Sequence, residues 1–299
     1  MPRHRLPYLA LAAVCLFWGT TYLGIRISLE SLPPFYLIAI RYVISGAIML
    51  AFSYLSGAVL PSGRELWLTA GCGVICIGIG NGLLAKAQTI VPSGFAALSY
   101  TTGPFWMVGV DALLPGGKRP RLSTVAGLLV GVAGVFILIL PNVAARGMKG
   151  ALTTGFLLVQ ISAAGWITGA LLQKRVQTRA APIVSGSVQQ FAAGLAMFVP
   201  ALLFEQPPHA VTTRSAMAVS YLVIFGSLVG FSAFIYSVAK LPVAIVSIYT
   251  FVNPIVAVVL GWLAFREAFG MRELIAMLVV FTGIALVRWS ESTRAAPAQ

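Results

Sequence analysis

Two tryptophans stand where tryptophan is uncommon. Trp18 lies about ten residues into the apolar run 8–28, and Trp166 holds the matching depth in the run 150–173. In a chain built for lipid, indoles gather at the water interface, where the N–H stays wet. At mid-depth the N–H needs an acceptor, and the ring offers a stacking wall to a flat organic molecule. Tyr22 follows Trp18 by one turn on the same helical face, and Ser162 and Gln173 share the side of Trp166. Tyr100, Tyr249, Tyr236, Phe231 and Phe251 would extend such walls wherever their helices turn them inward. Plain helix-to-helix packing is the competing use of the same rings.

Polar groups at similar depth are few. Asn81 and Gln88 are seven residues apart in the run 66–88, hence on one face, following the glycine-rich stretch 71–82. Asn253 adjoins Pro254. Each amide serves either a cavity or an interhelical hydrogen bond. Pro104 sits roughly 18 Å of rise into its run, and its missing N–H deprives the Tyr100 carbonyl of a helical donor. Pro254 removes the donor for Thr250 in the same way. Such a pair would kink two helices, offer carbonyls to an ammonium or hydroxyl group, and act as hinges; neighbouring Ser99 or Thr101 could instead satisfy the backbone.

Ionisable residues within or at the edges of the runs are Arg26, Arg41, Lys86 and Asp111. Such charges are functional candidates by default, although Arg26 and Lys86 fall near the ends and could snorkel. Arg41 lies about seven residues in, where it could snorkel or cap freed carbonyls. No Glu or Asp stands at mid-depth, which argues for downhill transfer over obligatory proton exchange. His4 and His209 both lie outside the runs, so no catalytic cluster is expected. Cys15, Cys72 and Cys76 lack His or acidic partners and read as small packing residues, with no metal site and no cofactor expected.

The elements that must position these groups follow from composition. The 299 residues are 59% hydrophobic and 9% charged, with a mean hydropathy of +0.94. That excludes a soluble globular domain. About ten apolar runs, near 8–28, 34–56, 66–88, 93–114, 121–141, 150–173, 183–204, 214–239, 243–265 and 270–289, each have the length of a membrane-crossing helix. They lack barrel-type alternation. The net charge of +13 sits mostly at run ends, which excludes a nucleic-acid partner in favour of lipid. Its bias places both termini in the cytoplasm of a multi-pass inner-membrane protein. The first run exceeds a typical signal-peptide core and reads as a retained helix.

The second half repeats the first. Trp18, Arg26, Pro34, Gly46 and Met49 recur at an offset of 148 as Trp166, Lys174, Pro182, Gly194 and Met197. Pro92 and Pro104 recur at offset 150 as Pro242 and Pro254, and Gly134 returns as Gly283. Residues 1–145 and 146–299 are thus expected to be two five-helix repeats. Five is odd, so the second copy enters the membrane from the opposite side. The fold expected is all-α, with ten transmembrane helices as two inverted repeats around one mid-depth site.

Phe17-Trp18-Gly19-Thr20-Thr21-Tyr22, Arg41-Tyr42, and Pro92 and Pro104 followed by Gly127 and Gly134 resemble the EamA repeat of the drug/metabolite transporter superfamily. So do Pro242 and Pro254, Arg266-Glu267 and Thr282-Gly283. The resemblance covers nearly the whole chain. It implies intertwined halves whose first, third and fourth helices line a central cavity, with Arg41 as a structural part. One departure is Gly117, where the family often carries an acid that Glu267 keeps in the second half. The function expected is a facilitative exporter of small amphipathic metabolites, aromatic amino acids foremost, working by alternating access. Its site would be Trp18, Tyr22, Asn81, Gln88, Tyr100, Trp166, Tyr249 and Asn253, with hinges at Pro104 and Pro254. A polyspecific drug or cation exporter is the nearest alternative. A channel, a receptor and a lipid-processing enzyme are the others. The sequence leaves oligomeric state open.

Overall fold

The computed structural model describes residues 5–115, 121–146, 150–241, 243–246, 248–267 and 270–295. Pro242, Gly117, Lys118, Arg119, Lys149, Arg3 and His4 lie outside them. Among the described residues the chain is helical throughout. The helices are α1 (Leu6–Ser28), α2 (Pro34–Leu55), α3 (Gly63–Gln88), α4 (Ser93–Tyr100), α5 (Gly103–Leu113) and α6 (Leu122–Arg146). They continue as α7 (Ala151–Gln173), α8 (Pro182–Phe204), α9 (Thr213–Lys240), α10 (Val243–Val246), α11 (Tyr249–Phe265) and α12 (Met271–Ala295). Six of them, α1, α2, α3, α7, α8 and α9, are long and apolar enough to cross a membrane.

Helix starts follow local chemistry. Pro34 and Pro182 open α2 and α8 at the position where a missing N–H costs nothing. A carboxylate from distant chain takes the N–H groups exposed at α2, and another holds the loop that leads into α8. Glu205 accepts from Phe35 N at 3.0 Å and Tyr36 N at 3.2 Å, and Glu65 accepts from Thr178 Oγ1 and from Arg179 N at 3.1 Å. Glu267 does the same for α4, accepting from Ser93 N at 2.8 Å and Gly94 N at 2.9 Å. A negative charge at a helix N-terminus also complements the helix dipole.

Two rods are not plain α-helices. Val74–Ile79 within α3 and Leu222–Val229 within α9 are wound as π-helix, starting 148 residues apart. The runs at 93–114 and 243–265 are each interrupted, at Thr101–Thr102 and just before Tyr249. The first interruption precedes Pro104, which therefore opens α5 as one of its first residues instead of bending a continuous helix, whereas Pro254 stays inside α11. This corrects the expectation of matched internal kinks. A helix start absorbs the missing proline N–H without loss, whereas a helix interior must bend around it.

Packing joins the halves. The main partner of α2 is α8, and that of α6 is α12. The first helix of each half packs on the third and fourth rods of the other: α1 on α9 and α11, α7 on α3 and on α4–α5. Lipid supplies no hydrophobic force between helices, so close approach through small residues takes over. A Cβ on Gly46 would sit 2.6 Å from Phe191 Cα, and one on Gly194 2.7 Å from the Tyr42 carbonyl carbon. Gly127 and Gly283 bring α6 and α12 together in the same way. Phe52, Leu129 and Trp262 stay exposed on the outside of the rods, where lipid would meet them.

Candidate functional site

Four rings from four helices meet where the halves cross. Trp18 of α1 stands edge-on to Trp166 of α7 (centroids 6.2 Å, 86°) and to Tyr249 of α11 (5.4 Å, 88°). Phe234 of α9 lies 5.0 Å from Trp18 and 5.7 Å from Tyr249. The Trp18 indole finds its acceptor in the π-helical stretch of α9, donating to the Gly226 carbonyl at 3.1 Å. Glycine makes the approach possible, since a Cβ on Gly230 would fall 2.7 Å from that indole nitrogen. Such π segments widen the turn and recur at functional positions. Their apolar sequences carry no signal that periodicity detects.

The mirror seam is built differently. Trp166 rests on Gly80, whose added Cβ would lie 3.3 Å from the tryptophan Cβ, and the Ser162 hydroxyl donates to the Gly80 carbonyl. Gly165 and Gly169 let α7 reach the π segment of α3.

Beside the rings, Tyr100 packs against the buried cluster that holds Tyr22. Tyr22 is buried against Leu84, Val91 and Ala257. The Asn253 amide, oriented to satisfy both contacts, donates to the Cys15 carbonyl at 3.0 Å and to Tyr249 O at 3.2 Å. That ties Tyr249 to α1. Asn81 follows Gly80 and keeps a buried Nδ2 without a hydrogen-bond partner. Gln88 is fully buried, with both amide atoms unpartnered, while its backbone carbonyl accepts from Arg26 Nη1 at 2.7 Å. Trp18, Trp166 and Tyr249 are thus in contact, with Tyr22, Tyr100 and Asn253 adjoining. Gln88 stands apart, about 10 Å of helix rise beyond Asn81.

Three further rings face elsewhere. Tyr236 lines an outer groove of about 550 Å³ with Ser232 and Leu6. Phe251 stacks against Phe281 at 5.2 Å, and Phe231 packs over Gly186. They were expected to extend the aromatic wall only where their helices turned them inward, and their helix phase turns them elsewhere. Two residues escaped the sequence reading. Phe234 is one. Gln160 of α7 is the other: it accepts from Thr102 Oγ1 at 2.8 Å and Trp106 Nε1 at 3.0 Å, and donates to Ser99 O at 3.1 Å. It thereby stitches the α4–α5 interruption. A polar residue inside an apolar helix was the available signal.

Carboxylates with described side chains all sit at helix ends. Glu65, Glu205 and Glu267 take helix or loop N–H groups, Glu30 pairs with Arg214 at 3.3 Å, Asp111 with Arg175 at 3.8 Å, and Glu273 with Arg272. Among the described residues no group of three His, Cys, Asp or Glu side chains could hold a metal ion.

A multi-pass helical protein whose aromatic groups converge between two interleaved halves has the build of a carrier for small molecules. The EamA-like transporter family matches residues 5–140 and 153–289, so the chain belongs to that family: it is a membrane transporter and not an enzyme. It is 32% identical over 288 residues to a protein described as the uncharacterized inner membrane transporter YedA of Escherichia coli K12, covering 95% of this chain and 92% of the relative. The aromatic amino acid exporter YddG of Ancylobacter novellus is 28% identical over 171 residues, 57% of this chain and 59% of that one. A solved crystal structure shares the fold with a TM-score of 0.66 at 23% identity, covering 95% of this chain and 97% of the other.

Proposed function

We propose that the chain is an inner-membrane exporter of small amphipathic metabolites, aromatic amino acids foremost, working by alternating access without obligatory proton exchange. The observation that carries this reading is the meeting of Trp18, Trp166, Phe234 and Tyr249 at the crossing of the halves. Ten crossings would arise from two inverted repeats, 1–145 and 146–299, with both termini cytoplasmic. The paired interruptions, the two π segments and the halves' reciprocal packing support that symmetry. The binding residues would be Trp18, Tyr22, Asn81, Gln88, Tyr100, Trp166, Tyr249 and Asn253, with α5 and α11 swinging near Pro104 and Pro254. Unpartnered amide atoms on Asn81 and Gln88 favour a polar ligand group near each. The relative described as an aromatic amino acid exporter points the same way.

The carboxylates with described side chains stand at helix ends, each with a partner, which favours downhill transfer. The test is counterflow uptake by purified protein in liposomes, screened with radiolabelled amino acids and nucleosides. Aromatic amino acids should accumulate with no imposed gradient. Uptake that requires a pH gradient overturns the coupling, and dye or drug transport that outcompetes amino acids overturns the substrate class.

A further inference from the structure

We propose that Arg41 is a carboxylate receptor: its guanidinium binds the acid group of the carried molecule while the remainder lies against the Trp18 rings. The proposal rests on the carrier reading above and names the chemistry of its ligand. Arg41 is 3% exposed and stands roughly 10 Å of rise into α2 from Pro34. Arginine keeps its proton in proteins, so a full charge is held among apolar helices. Its partners do not balance that charge. Nε donates to Ser227 Oγ at 3.0 Å, while Nη1 is buried with no hydrogen-bond partner. Among the described residues no carboxylate pairs with it. The Tyr42 ring, 4.7 Å away, offers only partial compensation.

A buried cation this incompletely paired is costly, and the second half holds its matching position without one. The position 148 residues on is Gln189, a neutral amide tied to Gln173 at 2.9 Å. Charge has therefore been placed in one half alone, at one spot. That spot adjoins the aromatic junction. A Cβ on Gly226 would fall 2.8 Å from Arg41 Nη2, and the same glycine's carbonyl accepts the Trp18 indole at 3.1 Å. Cation and ring share one residue of the π segment. An acid group admitted there would complete the guanidinium fork, whose buried Nη1 has no partner.

The experiment uses full-length protein in lipid nanodiscs, titrated with phenylalanine against phenethylamine and with leucine against isoamylamine. Each pair differs by the carboxylate alone, and tryptophan fluorescence with thermal stability reads binding. In wild type the acid should bind at least tenfold more tightly than its amine. Arg41→Gln should lose that preference and Arg41→Lys should keep part of it. Equal affinity within both wild-type pairs, silence from all four compounds, or a preference that survives Arg41→Gln overturns the proposal. A preference in the leucine pair alone upholds Arg41 and removes the aromatic substrate instead. Should Arg41→Gln fail to fold, Arg41→Lys decides: a preference as strong as in wild type overturns the proposal, and a reduced one upholds it. The counterflow screen judges the carrier reading separately.

Discussion

The two π-helical seams share a backbone and differ in what they carry. At Leu222–Val229 the α9 seam takes the Trp18 indole on Gly226 and the Arg41 guanidinium on Ser227. At Val74–Ile79 the α3 seam meets glycines of α7, with a single serine hydroxyl on Gly80. One seam is polar and charged; the other is close-packed and small. A scaffold that must present two related states profits from matched backbones. A ligand with distinct ends needs unmatched side chains. On the proposed alternating-access reading, the glycines and prolines serve the first requirement, and the cation and amides the second.

The scaffold half of that contrast breaks most severely. Gly46→Val and Gly194→Val would each drive a side chain into facing backbone at the α2–α8 crossing. Overpacking of that kind costs about 3 kcal/mol or more where backbone cannot yield. Both variants should lose monodisperse protein on size exclusion, and to a similar extent. A stable, active Gly194→Val beside a failed Gly46→Val would deny that the crossing is symmetric.

The ligand half predicts unequal effects from equal substitutions. Trp18 loses a hydrogen bond and three ring contacts when truncated, whereas Trp166 has one recorded ring contact, with Trp18 itself. Trp18→Phe keeps most of the ring and removes the N–H, leaving the Gly226 carbonyl short by roughly 1 kcal/mol. Counterflow uptake should fall about fivefold in Trp18→Phe and less in Trp166→Phe. Equal losses would return the seams to equivalence.

The α4–α5 interruption gives a third measure. Gln160→Leu removes three hydrogen bonds that hold Thr102, Trp106 and Ser99. At ~1 kcal/mol each, the loss is about 2–3 kcal/mol. The melting temperature should drop and uptake should fall, because Tyr100 ends the helix before the break. A transporter unchanged in both would mean that the interruption is held by its threonines alone.

How much was legible in the sequence follows the same divide. The rods were readable because apolar length and Pro34, Pro92 and Pro182 mark their bounds. The duplication was readable because Trp, Pro and Gly tolerate little substitution at constrained sites. Trp18, Trp166 and Tyr249 were found by depth, a one-dimensional quantity. Phe234 was missed, and the facing of Phe231, Tyr236 and Phe251 stayed open, because facing is set by helix phase. The π segments shift that phase within α9, and nothing in Leu222–Val229 announces the extra turn width. Glu205 drew no notice and Glu267 stood out only through the family resemblance, since their targets lie 170 and 174 residues away in sequence.

Those two acids give the finest comparison. Glu205 caps α2, which belongs to the packed α2–α8 pair, and Glu267 caps α4, which leads to Tyr100 and the interruption. Glutamine at either position keeps an acceptor and removes the charge that complements the helix dipole, worth about 0.3–1 kcal/mol. Both variants should melt only a few degrees lower, about 2–4 °C per kcal/mol for a chain of this size class. Transport should separate them. Glu205→Gln is expected to leave counterflow unchanged, because α2 stays clamped by its crossing with α8. Glu267→Gln is expected to slow it measurably, because the α4 rod loses its anchor to the chain just past α11. Identical transport in the two variants would show that α4 is held by packing alone, and the division between a rigid pair and a moving rod would fail at that point.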